Sequence, residues 1–151
     1  PLVAANKMTG ATFGGELLAE WRPASAFKAE GAYTLLRMDI DRSPDSLDVS
    51  SPDPAGATPR HQYYVRSSFD LPMNLSQDVT LRYVHGLDGL AIPAYHSLDA
   101  RVGWAPTAQL EFSIVGQNLT ANQHLEFRPD FIQTTPTIVK RTFHATLRWK
   151  F

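Results

Sequence analysis

The chain of 151 residues is long enough for one ordinary domain, and its 43% hydrophobic and 19% charged residues exclude a disordered chain. A net charge of -1, without a basic stripe, argues against a nucleic-acid partner. Because cysteine is absent, the sequence offers neither a disulfide framework nor thiolate chemistry. No apolar run approaches the about 18 residues that a membrane-spanning helix requires.

Alternation of apolar and polar residues, the pattern of a β-strand with two unlike faces, recurs along the chain, whereas helical periodicity is nearly absent. The first three predicted strands run from Thr12 to Trp21, Phe27 to about Ile40 and His61 to Leu71. Four more follow, from Asp78 to Gly86, Tyr95 to Trp104, Ala108 to Gln117 and Arg141 to Phe151. The sequence therefore predicts an all-β fold, an antiparallel meander of about seven strands.

Short and long connections alternate along the predicted meander. Proline-containing turns follow the first, third and fifth strands, at residues 22–26, 72–76 and 105–107. Loops of about twenty residues, 41–60 and 119–140, follow the second and sixth strands, and a shorter loop follows the fourth. Because hairpins put alternate connections at opposite ends of an antiparallel sheet, we expect a short-turn end and a long-loop end.

Aromatic residues gather at the short-turn end of the predicted strands. Rings at such positions are typical of the interfacial girdle of an outer-membrane barrel. The girdle candidates are Trp21, Phe27, Trp104 and Trp149. Strands of about ten residues also match the about 9–11 that cross a bilayer when tilted. The alternative is a soluble β-sandwich or ligand-binding barrel whose apolar face points inward, with the three tryptophans in its core.

Charged residues occupy the polar positions of the predicted strands. Such side chains need water or polar partners, which the aqueous lumen of a barrel, or a plug inside it, would provide. The candidates for a polar lumen facing a plug are Glu16, Glu20, Arg66, Asp70, Arg82, Asp99, Arg101 and Glu111. The solvated face of a soluble sheet would have the same local pattern.

An odd number of strands cannot close into a barrel in which every neighbour is antiparallel. We therefore expect either an additional strand near residues 1–10 or an arc of a larger barrel. The charged lumen favours the larger barrel, because small barrels fill their interior with packed side chains.

Four segments resemble the C-terminal part of the TonB-dependent outer-membrane receptors. They are GGELLAEWRPASAFKAEGAYTLL (14–36), TPRHQYYVRSSFDLP (58–72), IPAYHSLDARVGWAP (92–106) and LEFSIVGQNLTANQHLEF (110–127). Their order and spacing carry the resemblance across nearly the whole chain. The end of the chain resembles the signal by which the barrel-assembly machinery recognises outer-membrane proteins, in the residues Phe143, Leu147, Trp149 and Phe151. Thr146 departs from that signal, which often has glycine there.

The resemblance implies an arc of a 22-stranded barrel in the bacterial outer membrane, which a plug domain fills in the family. Residues 1–151, which begin with Pro1, would be a partial C-terminal barrel domain without the plug. The family imports scarce ligands such as ferric siderophores or cobalamin-like compounds. The implied partners are outer-membrane lipid, the barrel-assembly machinery, the protein's own plug and an inner-membrane energising complex. No enzymatic activity and no cofactor are implied.

Two further groups of residues carry weaker hypotheses. Asp41, Asp45 and Asp48 form a candidate ligand or Ca²⁺ loop, although they lack the glycine and terminal glutamate of an EF-hand. The five histidines lack the spacing of a metal site and are interpreted as polar lining or interfacial residues. A small complete outer-membrane barrel with a structural or adhesive role is the alternative to the receptor segment.

Overall fold

The computed structural model describes residues 5–48, 54–129 and 134–151. Within these ranges the chain is all-β, and two single-turn 3-10 helices, Pro72–Asn74 and Asp88–Leu90, lie in connections between strands. No helix in these ranges is long and apolar enough to cross a membrane. The strands are β1 (Met8–Ala24), β2 (Phe27–Arg42), β3 (His61–Leu71), β4 (Leu75–Val84), β5 (Tyr95–Trp104), β6 (Leu110–Gln117), β7 (Gln123–Phe127), β8 (Thr137–Lys140) and β9 (Thr142–Trp149).

Seven of the strands form one sheet in the order β1-β2-β3-β4-β5-β6-β9, and all neighbours are antiparallel. The all-β meander of seven strands is therefore confirmed. The sheet is open, because β1 and β9 each pair with a single neighbour in the described part of the chain. β7 and β8 form a separate two-stranded hairpin, inserted between β6 and β9.

Several strand boundaries differ from the predicted ones. β1 begins at Met8, so Met8 to Gly10 belong to the first strand rather than to an additional one; residues 1–4 lie outside the described ranges. The β3–β4 turn contains only three residues, because Met73 and Asn74 reverse the chain with φ of 64° and 58°. β4 therefore begins at Leu75, three residues earlier than predicted.

The connection over residues 119–140 is not simply a long loop, as predicted, because it contains the β7–β8 hairpin. Gln123 pairs with Lys140 and His124 with Val139 across this hairpin. Its strands are only five and four residues long. Alternation over so few residues is too short to distinguish a strand from a polar loop.

The register places every second residue of the seven strands on one common face. Directly paired residues of antiparallel strands point to the same side, so the predicted apolar faces join into one surface, the apolar face. Its exposed members include Phe13, Leu17, Trp21, Val65, Val102, Ile114, Phe143 and Leu147. Ile92, at 4% exposure, is the sole buried hydrophobic residue of the described ranges. The sheet is therefore a single layer whose apolar face no described residue covers.

Candidate functional site

The four girdle candidates lie on the apolar face near the short-turn end. The Trp21 and Phe27 rings meet edge to face at 5.8 Å, and Phe27 lies 4.4 Å from Phe69 on β3. On the other half of the sheet, Trp104 stacks with Phe112 at 5.8 Å between ring centroids. Trp149 pairs with Leu110 at the end of β9. The structure thus brings rings that are distant in sequence into one aromatic row, which is interrupted at β4.

A second aromatic row, which the sequence reasoning missed, crosses the same face toward the long-loop end. Tyr33, Tyr63, Tyr83 and His96 are successive partners across β2, β3, β4 and β5. Tyr63 and Tyr83 stack at 5.1 Å, and Tyr83 lies 4.8 Å from His96 between ring centroids. The Tyr33 hydroxyl lies 2.8 Å from Nδ1 of His61. Aromatic rings therefore lie on both sides of the aliphatic middle of the apolar face, and the second row extends across β2 to β5.

Charged residues of alternating sign cross the opposite, polar face through all seven strands. Lys28 pairs with Glu20 at 3.2 Å and with Glu30 at 2.8 Å, and Glu30 is the register partner of Arg66. The series continues through ion pairs between neighbouring strands, whose closest approach is 2.7 Å. This charge belt comprises Glu20, Lys28, Glu30, Arg66, Asp78, Arg101, Glu111 and Arg148.

All eight lumen candidates lie on this polar face by register. Six of them form ion pairs within the sheet, so their charges do not depend on an external partner as the sequence suggested. The six are Glu20, Arg66, Arg82, Asp99, Arg101 and Glu111. Glu16 and Asp70 form no ion pair with any described residue.

A cavity of about 500 Å³ lies on the polar face, between the long-loop end of the sheet and the β7–β8 hairpin. The hairpin is held over the sheet by Tyr95, whose ring stacks on His124 at 4.0 Å and whose hydroxyl donates to Glu126 at 3.1 Å. Arg82 and Asp99 form an ion pair in the floor of the cavity. The sheet and the hairpin thus build a concave, polar site.

Asn118 fixes the hairpin to the sheet. It is 1% exposed and adopts φ of 53°, a conformation that asparagine tolerates better than most residues. Its backbone N–H donates to Asp99 Oδ1 at 2.9 Å, and its Nδ2 donates to the Val139 carbonyl at 3.2 Å. One residue, through its backbone and its side chain, therefore connects β5, the end of β6 and β8.

His124 completes this anchor with both nitrogens of its ring. Nδ1 lies 3.1 Å from Asn118 Oδ1, and Nε2 lies 2.8 Å from Glu126 Oε1. With its side chain 8% exposed, His124 is a structural part of the cavity wall.

The candidate Ca²⁺ loop is not assembled in the described residues. Asp45 pairs with Lys7, and the Asp48 carbonyl accepts a hydrogen bond from Arg42 at 3.1 Å. No group of three or more histidine, aspartate or glutamate side chains in residues 5–48, 54–129 and 134–151 could hold a metal ion. A calcium role for Asp41, Asp45 and Asp48 stays a prediction without structural support.

The residues that resemble an assembly signal lie at the end of the sheet. Phe143, Leu147 and Trp149 share the apolar face of β9 and are all exposed, and Phe151 lies two residues beyond the strand. A role in assembly stays a prediction. No protein-family model and no curated protein matches the chain.

Proposed function

We propose that this chain forms part of the wall of a bacterial outer-membrane β-barrel, with its apolar face toward lipid and its polar face toward an aqueous lumen. It would be the C-terminal segment of a TonB-dependent transporter that imports a scarce ligand, such as a ferric siderophore or a cobalamin-like compound. The observation that carries the proposal is the exposed apolar face, which extends over all seven strands of the sheet.

The size of that face supports lipid as its neighbour. Soluble monomers rarely expose contiguous apolar patches of more than a few hundred Å². Here the sheet leaves large side chains such as Leu17, Ile114 and Leu147 more than half exposed on one side. Hydrocarbon would cover these side chains. The ladder bonds satisfy the backbone between neighbouring strands, and further strands of the barrel would pair with the open edges of β1 and β9, as a membrane requires.

The distance between the two aromatic rows is compatible with the same orientation. The rows are six residues apart on β2, at Phe27 and Tyr33, and eight apart on β5, at His96 and Trp104, which is about 20–26 Å along a strand. At a strand tilt of about 40° this becomes about 15–20 Å along the membrane normal. Outer-membrane barrels have an apolar band about 25 Å tall between two aromatic girdles, so the two rows fit within the height of such a band.

The polar face has the character of a wide lumen. Its charge belt would be costly against hydrocarbon or in a packed interior. Small barrels fill their interior with side chains, whereas large ones enclose water or a plug. The open edges of β1 and β9 in the described residues also favour an arc of a large barrel over a small complete one.

The remaining parts of the proposal rest on the resemblance of the four segments described above. They are the plug domain in the lumen, the energising complex of the inner membrane and the barrel-assembly machinery. In this arrangement Arg66, Arg82 and Arg101 would border the plug, and the long loops would meet the ligand first.

A cysteine-labelling experiment tests which face meets lipid. The chain has no cysteine, so a single introduced thiol gives an unambiguous signal. Ile114→Cys and Ser113→Cys are adjacent on β6 and point to opposite faces, and Ile114 is the more exposed of the two. In outer-membrane vesicles carrying the protein from its full reading frame, a charged maleimide should label Ser113→Cys and leave Ile114→Cys unmodified.

The control is the same reaction after the vesicles are dissolved in denaturant, where both thiols should react fully. Stronger labelling of Ile114→Cys than of Ser113→Cys in intact vesicles would contradict the lipid-facing orientation. Recovery of the protein in the soluble fraction would contradict the membrane location itself.

A further inference from the structure

We propose that the cavity beneath the β7–β8 hairpin binds an uncharged polyhydroxylated compound, such as a short oligosaccharide. The inference deepens the proposed function by naming a ligand class, and it rests on that function because the polar face must be open to water. The volume of about 500 Å³ lies within the about 300–1,000 Å³ of small-molecule sites.

The charges of the Arg, Lys, Asp and Glu side chains around the cavity cancel one another. Two cations, Arg82 and Lys140, and two carboxylates, Asp99 and Glu126, line it. Arg82 and Asp99 pair directly, and Glu126 accepts hydrogen bonds from Tyr95 and His124. A multiply charged ligand, such as a ferric tris-catecholate, would face at least one charge of its own sign at short range. The balance therefore favours a ligand without net charge.

The hydrogen-bonding groups that remain open suit hydroxyls. The Gln62 amide lines the floor and makes no side-chain hydrogen bond with a described residue, so its oxygen and both amide protons are available. Arg82 keeps further N–H groups beyond its bond to Asp99. A sugar hydroxyl both donates and accepts, so neighbouring hydroxyls can satisfy an amide and a guanidinium together.

The ring of Tyr95, one face of which stacks on the buried His124, adds an apolar surface to this polar site. Sugars have C–H faces as well as hydroxyl edges, and binding sites commonly combine ring surfaces with a few oriented polar groups. The polar groups behind this ring are fixed before any ligand arrives. Ser97, Asn118 and the His124 side chain are all at least nine-tenths buried. A preformed site loses little conformational entropy on binding.

Calorimetric titration of the purified protein, encoded by its full reading frame and held in detergent, tests the proposal. The probes are maltotriose, cellotriose, raffinose and trehalose, measured separately, and a ferric tris-catecholate as the charged comparison. We expect at least one sugar to bind and the ferric complex not to compete with it. Gln62→Leu should weaken sugar binding about fivefold to tenfold, because it removes the open amide.

Gln77→Leu is the matched control, since it makes the same change on the apolar face of β4, outside the cavity lining. It should leave sugar affinity unchanged, with circular dichroism verifying that both variants fold. Absence of binding by all four sugars, displacement of bound sugar by the ferric complex, or equal effects of the two substitutions would overturn the inference.

The proposed ligand class and the proposed membrane location can fail independently of each other. A protein that resides in the outer membrane but binds none of the sugars refutes the ligand class alone. A soluble protein that binds a sugar through Gln62 refutes the membrane wall and leaves the site standing.

Discussion

Arg101 on β5 donates to Glu111 on β6 at 2.7 Å between Nη2 and Oε1, in the middle of the charge belt. Its other terminal nitrogen lies 3.2 Å from the Ser76 hydroxyl and 3.6 Å from a carboxylate oxygen of Asp78 on β4. One guanidinium therefore joins three neighbouring strands. Arg101 and Asp78, with three side-chain partners each, have more partners than the other residues of the belt.

We expect Arg101→Met to lower the free energy of unfolding by about 1–2 kcal/mol, because charge-assisted bonds contribute more than neutral ones. Asp78 and Glu111 each keep another cation, Arg66 and Arg148, which limits the loss. Urea unfolding in detergent, followed by tryptophan fluorescence, measures the change. Lys7→Met, which removes an exposed pair with Asp45, should cost clearly less. Equal losses for the two substitutions would mean that the belt does not stabilise the sheet.

If the apolar face of β3 meets lipid, the loss of stability caused by a charged substitution should depend on its depth in the membrane. Val65 lies midway along the strand, and Leu71 lies at its short-turn end on the same face. Lysine in the middle of a bilayer costs about 2–4 kcal/mol, falling to about 0–1 kcal/mol near the interface. Val65→Lys should therefore destabilise the folded protein in lipid vesicles much more than Leu71→Lys does.

The comparison distinguishes a lipid-facing sheet from a water-facing one because the two side chains are similarly exposed, at 53% for Val65 and 43% for Leu71. On a water-facing sheet the two lysines would cost similar, small amounts. Equal unfolding free energies for Val65→Lys and Leu71→Lys would therefore argue against lipid contact.

Much of the sheet could be predicted because strand alternation is a local property. Side chains of a strand point alternately to opposite faces, so the residues of β3 or β9 reveal their two faces without knowledge of any neighbour. The register is not local. The row from Tyr33 to His96 forms only when four strands are aligned, and the charge belt only when all seven are. The sequence of a single strand does not reveal this alignment.

The cavity was unpredictable for a related reason. Its walls come from β3 to β6, β9 and a hairpin whose strands are only five and four residues long. Polar and apolar residues alternate in part of the segment from Gln123 to Phe127, but many polar loops are equally short, so the pattern does not identify a strand. Asn118 directly follows the sixth predicted strand, and its role depends on contacts with Asp99 and Val139, which lie far from it in sequence.

Asn118 should control the attachment of the β7–β8 hairpin. Asn118→Gly permits the φ of 53° but removes the side-chain bonds to Val139 and His124. We expect the hairpin to loosen, so that trypsin cleaves after Lys140, at the end of β8, faster than in the parent protein. Asn118→Ala should lower the unfolding free energy by about 1 kcal/mol more than the glycine variant, because alanine disfavours a left-handed backbone.

Cleavage after Arg66, within β3, serves as the control for this experiment because it reports on opening of the sheet as a whole. It should stay slow in the Asn118→Gly variant. Faster cleavage at both positions would mean that Asn118 stabilises the whole sheet rather than the hairpin.

Substitution by alanine should change the unfolding free energy in opposite directions at two adjacent glycines of β1. A Cβ at Gly14 would collide with the backbone carbonyl oxygen of Leu35 on β2, whereas a Cβ at Gly15 would meet no atom within 4 Å. Gly14→Ala forces the backbones apart, so we expect a loss of about 1–3 kcal/mol in unfolding free energy. Gly15→Ala should gain about 0.4–1 kcal/mol, because alanine restricts the unfolded chain. Urea unfolding of both variants measures this, and a loss at Gly15 as large as that at Gly14 would contradict the close approach of β1 to β2.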